Sequence, residues 1–172
     1  MAILPIITAP DRRLKVKSTP VDLVDDDVRR LLRDMLETMY NAPGIGLSAI
    51  QVGVPNCLIT VDVSQDDEVK APLYLVNPEI IQYSDEIENF NEGCLSLPDQ
   101  FAILPRPEAI VVDYLDFDGE RKQIRANGLL SRCIQHEMDH LKGKLFVDHL
   151  SAVKRSIILR KLEKTRRQKV NE

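Results

Sequence analysis

Residues 128–142 read GLLSRCIQHEMDHLK, and their spacing decides how the rest of the chain is read. At ~100° per residue, His136 and His140 share one helix face with Leu129 and Cys133, and Glu137 sits at its margin. Leu130, Ile134, Met138 and Leu141 fill the adjoining arc, while Arg132, Gln135, Asp139 and Lys142 take a polar arc opposite. Two imidazoles and a carboxylate beside an apolar stripe predict a core helix with a recessed polar site, because charge buried there without a ligand is costly. His136-Glu137-Met138-Asp139-His140 is also the H-E-x-x-H pattern. Histidines one turn apart grip one metal ion, and the adjacent glutamate takes a proton from metal-bound water.

The flanking sequence predicts the frame around this helix. Val28, Leu31, Leu32, Met35, Leu36 and Met39 recur at helical spacing between Asp25 and Asn41. Asp25, Asp26 and Asp27 crowd its start, where carboxylates complement the helix dipole, and Pro43-Gly44 follows its end. Between Ile45 and Ile124, runs rich in β-branched residues predict strands at Cys57–Val63, Leu73–Val76 and Glu108–Leu115. Their connections are too short for crossover helices, so mostly antiparallel pairing is expected. Ser151 to about Lys169 predicts a third helix. The expected fold is α+β, with short, mostly antiparallel strands around the central metal-binding helix and a further helix toward each terminus. Residues 1–150 are expected to form one catalytic domain, with 151–172 a basic amphipathic helix and tail belonging to it.

Composition narrows the function classes. The 172 residues are 44% hydrophobic and 29% charged, which excludes a disordered chain. No apolar run approaches the ~20 residues of a membrane helix. The net charge of −4 argues against a nucleic-acid-coating protein. The opening MAILPIITAPDRRLK resembles neither a signal nor a transit peptide, so a cytoplasmic location is expected. Three cysteines without a secretory signal argue against a disulfide framework.

A third metal ligand is not settled by spacing. A metzincin would place it at position 146, which is Phe146. A thermolysin-like enzyme would use a later glutamate, here Glu163 or Glu172. Cys133 sits among leucines and reads as a buried, inert thiol. Cys94, in the Gly-flanked run NEGCLSLP, remains a candidate. Three readings stay open: a hydrolase using Cys94, a zinc endopeptidase using Glu163, and a structural zinc module closed by His149. Gly44-x-Gly46-x-x-Ala49 is not a dinucleotide fingerprint, since a helix precedes it. It predicts a loop or edge strand that lets a ligand approach the backbone.

GIGLSAIQ (44–51), EGCLSLP (92–98) and QHEMDHL (135–141) together resemble, in order and spacing, the three signature motifs of the peptide deformylases. The resemblance covers nearly the whole chain. It implies removal of the formyl group from N-formylmethionine at the N-terminus of nascent polypeptides, with release of formate. It implies one divalent metal on Cys94, His136 and His140, natively Fe²⁺, with Zn²⁺, Ni²⁺ or Co²⁺ possible in a purified sample. Glu137 becomes the general base, and the Gln51 side-chain amide and the Leu95 backbone N–H hold the oxyanion. The substrate backbone is expected to pair beside Ile45-Gly46, and Phe90, Leu97, Leu129 and Cys133 to form the methionine pocket. The chain departs from common family patterns at Phe101 and Arg132, where relatives often carry Arg and an apolar residue, and at Ser48, commonly Ala.

The third helix suggests a partner. Lys154 to Lys169 holds eight basic side chains against Glu163 alone, a local charge of +7 that leaves the remainder at −11. Val153, Ile157, Ile158 and Leu162 offer an apolar stripe for docking. Related deformylases imply that such a helix meets the ribosome through an electrostatic contact. Neither a membrane nor a sequence-specific nucleic acid is expected as a partner.

Overall fold

A computed structural model describes residues 1–171. Helix α1 (Asp26–Asn41) begins where the Asp25 carboxylate accepts the Val28 N–H at 2.9 Å. It buries Leu32, Met35 and Met39, three of the positions its periodicity singles out. Seven strands follow: β1 (Gly46–Ser48), β2 (Leu58–Val61), β3 (Leu73–Tyr83), β4 (Ile87–Cys94), β5 (Leu97–Pro107), β6 (Ala109–Leu115) and β7 (Arg121–Asn127). Helix α2 (Gly128–Leu141) runs directly on from β7, and α3 (Ala152–Val170) ends the described chain. The α+β expectation holds.

All strand pairs are antiparallel, in a five-stranded sheet ordered β1-β2-β3-β6-β7 and a separate β4-β5 hairpin. The strands expected at 57–63 and 108–115 appear trimmed as β2 and β6, and the one at 73–76 extends to Tyr83 as β3. The spacing gave no sign of β4, β5 or β7. β5 contains Pro98, Pro105 and Pro107, which strand propensity disfavours. Its hairpin pairs on one side only, so a missing N–H can face the free edge.

One layer of the core is α2 against the sheet. Ile134, Met138, Leu141 and Cys133 pack with Ile59, Val61, Leu75, Ile110 and Val112. A second core, around Leu14, Leu97, Leu104 and Phe146, takes in Ile158 and Leu162 from α3. The docking stripe of α3 is therefore narrower than its sequence predicts. Val153 is 70% exposed and Ile157 47%, because they fall outside the arc that faces Phe146 and Leu104.

The expected polar arc of α2 is also corrected. Gln135 is buried and donates to the Pro107 carbonyl and Ser131 Oγ, each at 2.9 Å. Asp139 pairs with Arg106 at 3.1 Å. The β4-β5 hairpin covers part of that side of the helix, so Gln135 and Asp139 meet protein, while Lys142 stays exposed.

Candidate active site

Two elements deliver three donors to one point. Cys94 ends β4, and α2 presents His136 and His140; the ligand atoms lie within 4.8 Å of one another. Cys94 Sγ is 3.3 Å from His140 Nε2. The His136 ring is held from behind, its Nδ1 lying 2.9 Å from Glu92 Oε1. That acceptor fixes the proton on Nδ1 and leaves Nε2 for a ligand. The two alternative ligands are engaged elsewhere. Glu163 bonds Arg167 at 2.8 Å on α3, and His149 bonds Asp139 at 2.7 Å. Glu172 lies outside the described residues.

Electrostatics agree with a cation at this point. Burial alone would lower the His136 pKa, but the charges of Cys94 and Glu92 outweigh it and hold the ring well above its usual value. Burial and the neighbouring His136 push His140 well below. Cys94 and Glu92 thus favour positive charge at this imidazole, and a divalent ion on Cys94, His136 and His140 would supply such charge between the donors. The soft thiolate and two imidazoles suit iron, zinc, nickel or cobalt.

Glu137 stands beside the donors, 4% exposed, with Oε2 lacking any hydrogen-bond partner. Burial raises its pKa to about 7, with His136 and Ser48 pulling partly the other way. β1 approaches this carboxylate closely because residue 46 has no side chain. A Cβ on Gly46 would lie 2.7 Å from both Cys133 Sγ and Glu137 Oε1. The expected edge strand is therefore real, and at Gly46 the space lost to a side chain belongs to α2.

These groups face a cavity of about 490 Å³ whose wall includes Ile45, Gly46, Cys94, Leu95, Arg132, Cys133, His136 and Glu137. The Leu95 backbone N–H has no protein acceptor among the described residues. Burial drives the Cys133 thiol far above its usual pKa, so it is an inert part of the wall. Gln51 lies behind Cys94, its Nε2 at 3.1 Å from Ser96 Oγ and 3.7 Å from Cys94 Sγ.

The expected methionine pocket needs correction at Leu97. Leu97 is fully buried in the core with Leu14 and Phe146 and has no surface to offer a ligand. Leu129, one turn before Cys133 on α2, is 38% exposed and remains free to meet a ligand. Phe90 touches the cavity wall indirectly, through the Arg132 guanidinium 4.6 Å from its ring centre. Of the four expected pocket residues, Cys133 lines the cavity and Leu97 is turned away from it.

The sequence reading also overlooked a buried ion network behind the donors. Arg106 bonds both oxygens of Glu92, at 2.9 Å to Oε1, and reaches Asp139. Burial raises the Glu92 pKa, but the His136 hydrogen bond and Arg106 reverse this and hold it at about 2. A depressed carboxylate contributes stability that is complete above about pH 4.5 and is lost as pH falls toward 2. Arg106→Met takes the shared cation from two carboxylates, leaving each only a histidine partner, and should cost about 3–5 kcal/mol at pH 7. The gap to wild type should shrink in acid, where Glu92 of the variant protonates first. Urea unfolding at pH 7 and pH 4 checks this; an equal loss at both values would count against the network.

Comparison with known proteins gives this geometry its context. Residues 3–156 match the sequence family described as polypeptide deformylase. The chain belongs to that family. The peptide deformylase of Pelagibacter ubique is 50% identical over 170 residues, spanning 99% of both chains. Among solved structures, the Ehrlichia chaffeensis peptide deformylase superposes with a TM-score of 0.94 at 39% identity, covering 98% of this chain and 99% of its own. The Legionella pneumophila peptide deformylase gives 0.92 at 41% identity, with 99% of each chain covered. The chain is thus a peptide deformylase, a hydrolase that removes the formyl group from N-formylmethionine on nascent peptides. Its Cys94, His136 and His140 form a metal-binding group suited to that metal-dependent family.

Proposed function

We propose that Glu137 is the general base of deformylation, working beside an ion on Cys94, His136 and His140. The observation that carries this reading is a buried, unpartnered carboxylate next to three convergent donors, with Glu137, Cys94 and His136 in one cavity wall. When bound, the ion supplies Lewis-acid activation of water and of the formyl carbonyl. Fe²⁺ is the proposed native ion; Zn²⁺, Ni²⁺ and Co²⁺ suit the same donors.

The protein's own groups do the rest. Glu137, with a pKa of about 7, accepts a proton from the attacking water and returns it to the leaving amine. The Gln51 Nε2 and the Leu95 N–H donate to the oxygen that gains charge. The free edge of β1 at Ile45-Gly46 pairs with the extended substrate. The Cys133 side of the cavity, with Leu129, Phe90 and the stem of Arg132, whose guanidinium lies over the Phe90 ring, takes the methionine side chain. Residues 1–150 and the α3 segment act as one domain, since Ile158 and Leu162 complete a core shared with Leu97 and Phe146.

The direct test is formate release from formyl-Met-Ala by metal-loaded protein, with Cys94→Ala alongside. Wild type should release formate, and the variant should lose metal and turnover together. A variant that keeps both would return the reading to a different ligand set.

We infer further that α3 binds ribosomes and that the protein works in the cytoplasm, where formylated nascent chains emerge. Arg160, Lys164 and Arg167 are exposed on α3, away from the buried Ile158 and Leu162. No helix among the described residues is long and apolar enough to cross a membrane. Reversing those three residues to Glu should abolish co-sedimentation with ribosomes at low salt while formyl-Met-Ala cleavage stays unchanged. Co-sedimentation that survives the reversal would leave α3 as a solvated surface.

A further inference from the structure

The β4-β5 hairpin has two unlike faces. Inward, Glu92 and Arg106 meet α2, and Leu104 joins the core. Outward, from Gly93 opposite Phe101 to Ile87 opposite Pro107, four successive cross-strand pairs carry no charge. That face is open: Phe101 is 64% exposed, Ile103 67% and Ile87 54%. Exposed faces of small hairpins are normally polar or charged, because an uncovered apolar face invites association. An apolar strip in a chain with 29% charged residues therefore calls for an occupant.

The strip is continuous with the catalytic cavity. Phe101 and Asn91 both stand in the cavity wall, and Asn91 pairs directly with Ile103. The Phe101 ring is also pinned. It lies against Gly93, where an added Cβ would meet the ring at 2.5 Å. An aromatic resting against a strand presents a prepared apolar surface to whatever covers it.

We propose that this strip is the track for the third to fifth residues of the nascent chain and gives the enzyme a preference for apolar side chains there. The inference rests on the deformylase reading, since it takes the formyl group to sit at Cys94. Gly93 precedes Cys94 by one position on β4, and Asn91 by three. At about 3.3 Å per residue, an extended chain leaving Cys94 along β4 passes the level of Phe101 with its first residue, that of Ile103 with its third and that of the Asn89–Pro105 pair with its fifth. The uncharged Asn91 amide beside them offers both a donor and an acceptor to a peptide backbone. Removing a Leu side chain from water on an open surface recovers part of its full burial energy, enough for about a five- to tenfold effect.

The test compares formyl-Met-Ala-Leu-Leu-Leu-Ala with formyl-Met-Ala-Ser-Ser-Ser-Ala, using formyl-Met-Ala as the reference for basal chemistry. Wild type should cleave the leucine peptide with about five- to tenfold higher kcat/KM, the difference lying in KM with kcat shared. Ile103→Glu, on an exposed strand position outside the cavity wall, should erase that preference and leave formyl-Met-Ala cleavage unchanged. Equal kcat/KM for the two hexapeptides in wild type overturns the proposal and needs no variant to fold. A leucine preference that persists in Ile103→Glu also overturns it. A concentration-dependent dimer of wild type that Ile103→Glu dissolves would assign the strip to a second copy instead, against this proposal. Failure to cleave formyl-Met-Ala at all would overturn the deformylase reading, and this outcome is distinct from the others.

Discussion

Replacing Glu137 with Gln should lower deformylation by about 10²–10⁴ while the metal stays bound, the range for losing a positioned general base. Gln keeps the shape of the side chain but has no lone-pair site basic enough to take the proton. The position suits such a test. Burial already raises the Glu137 pKa to about 7, so the neutral side chain is tolerated there. Oε2 has no partner to lose, so the amide breaks no protein hydrogen bond at that atom. The variant should therefore fold as wild type does, and metal content, set by Cys94, His136 and His140, should be unchanged. A pKa near 7 also matches the working pH, where a base is abundant in its acceptor form and still strong enough to act. Metal analysis and formate release on the same sample decide the matter. Near-normal turnover with full metal would sink Glu137 as the base.

How far the sequence disclosed this site depended on periodicity. α2 was legible because fourteen residues repeat one helical pattern, and its histidines needed no partner element to be placed on one face. α1 was legible for the same reason, with an Asp cap to mark its start. β4 and β5 were not. Asn, Gly and three prolines break their alternation, and the hairpin forms through pairing that no local pattern announces. Everything that depends on the hairpin was lost with it. Arg106 reads as part of a loop in LPRP, yet it is the cation that holds Glu92 and Asp139. Leu97 was misplaced because the turn between Cys94 and Leu97 reverses direction within two residues. It sends Leu95 to the cavity and Leu97 into the core. Helix faces follow from spacing alone, whereas the facing of a residue at a tight turn follows from register.

Gln51→Ala should lower kcat by about 10²–10³ and leave metal content intact, the scale for losing one donor to a developing oxyanion. The orientation of the amide is fixed by its hydrogen-bond partners. Its Oε1 accepts from the Ser48 N–H at 2.9 Å and from Ser48 Oγ at 3.0 Å. With the oxygen clamped, the NH₂ group must face Ser96 and Cys94. One N–H serves Ser96 Oγ at 3.1 Å, and the other has only the long contact to Cys94 Sγ at 3.7 Å. A sulfur contact of that length is weak. A negatively charged oxygen beside Cys94 competes for that N–H on favourable terms, and only when the charge develops. That is the difference between ground-state and transition-state binding. Ser48 thus matters more than its departure from Ala suggests, since its hydroxyl is one of the two clamps. Alanine also strips partners from buried Ser48 and Ser96, so a stability loss of about 1–3 kcal/mol should accompany the rate effect. Gln51→Glu separates the two contributions. It keeps the volume and the acceptor for Ser48 but replaces the donor with a group that repels an oxyanion. Its kcat should fall at least as far as that of the alanine variant, with KM little changed. A glutamate variant with wild-type kcat, or an alanine variant altered in KM alone, would make Gln51 a packing or binding residue.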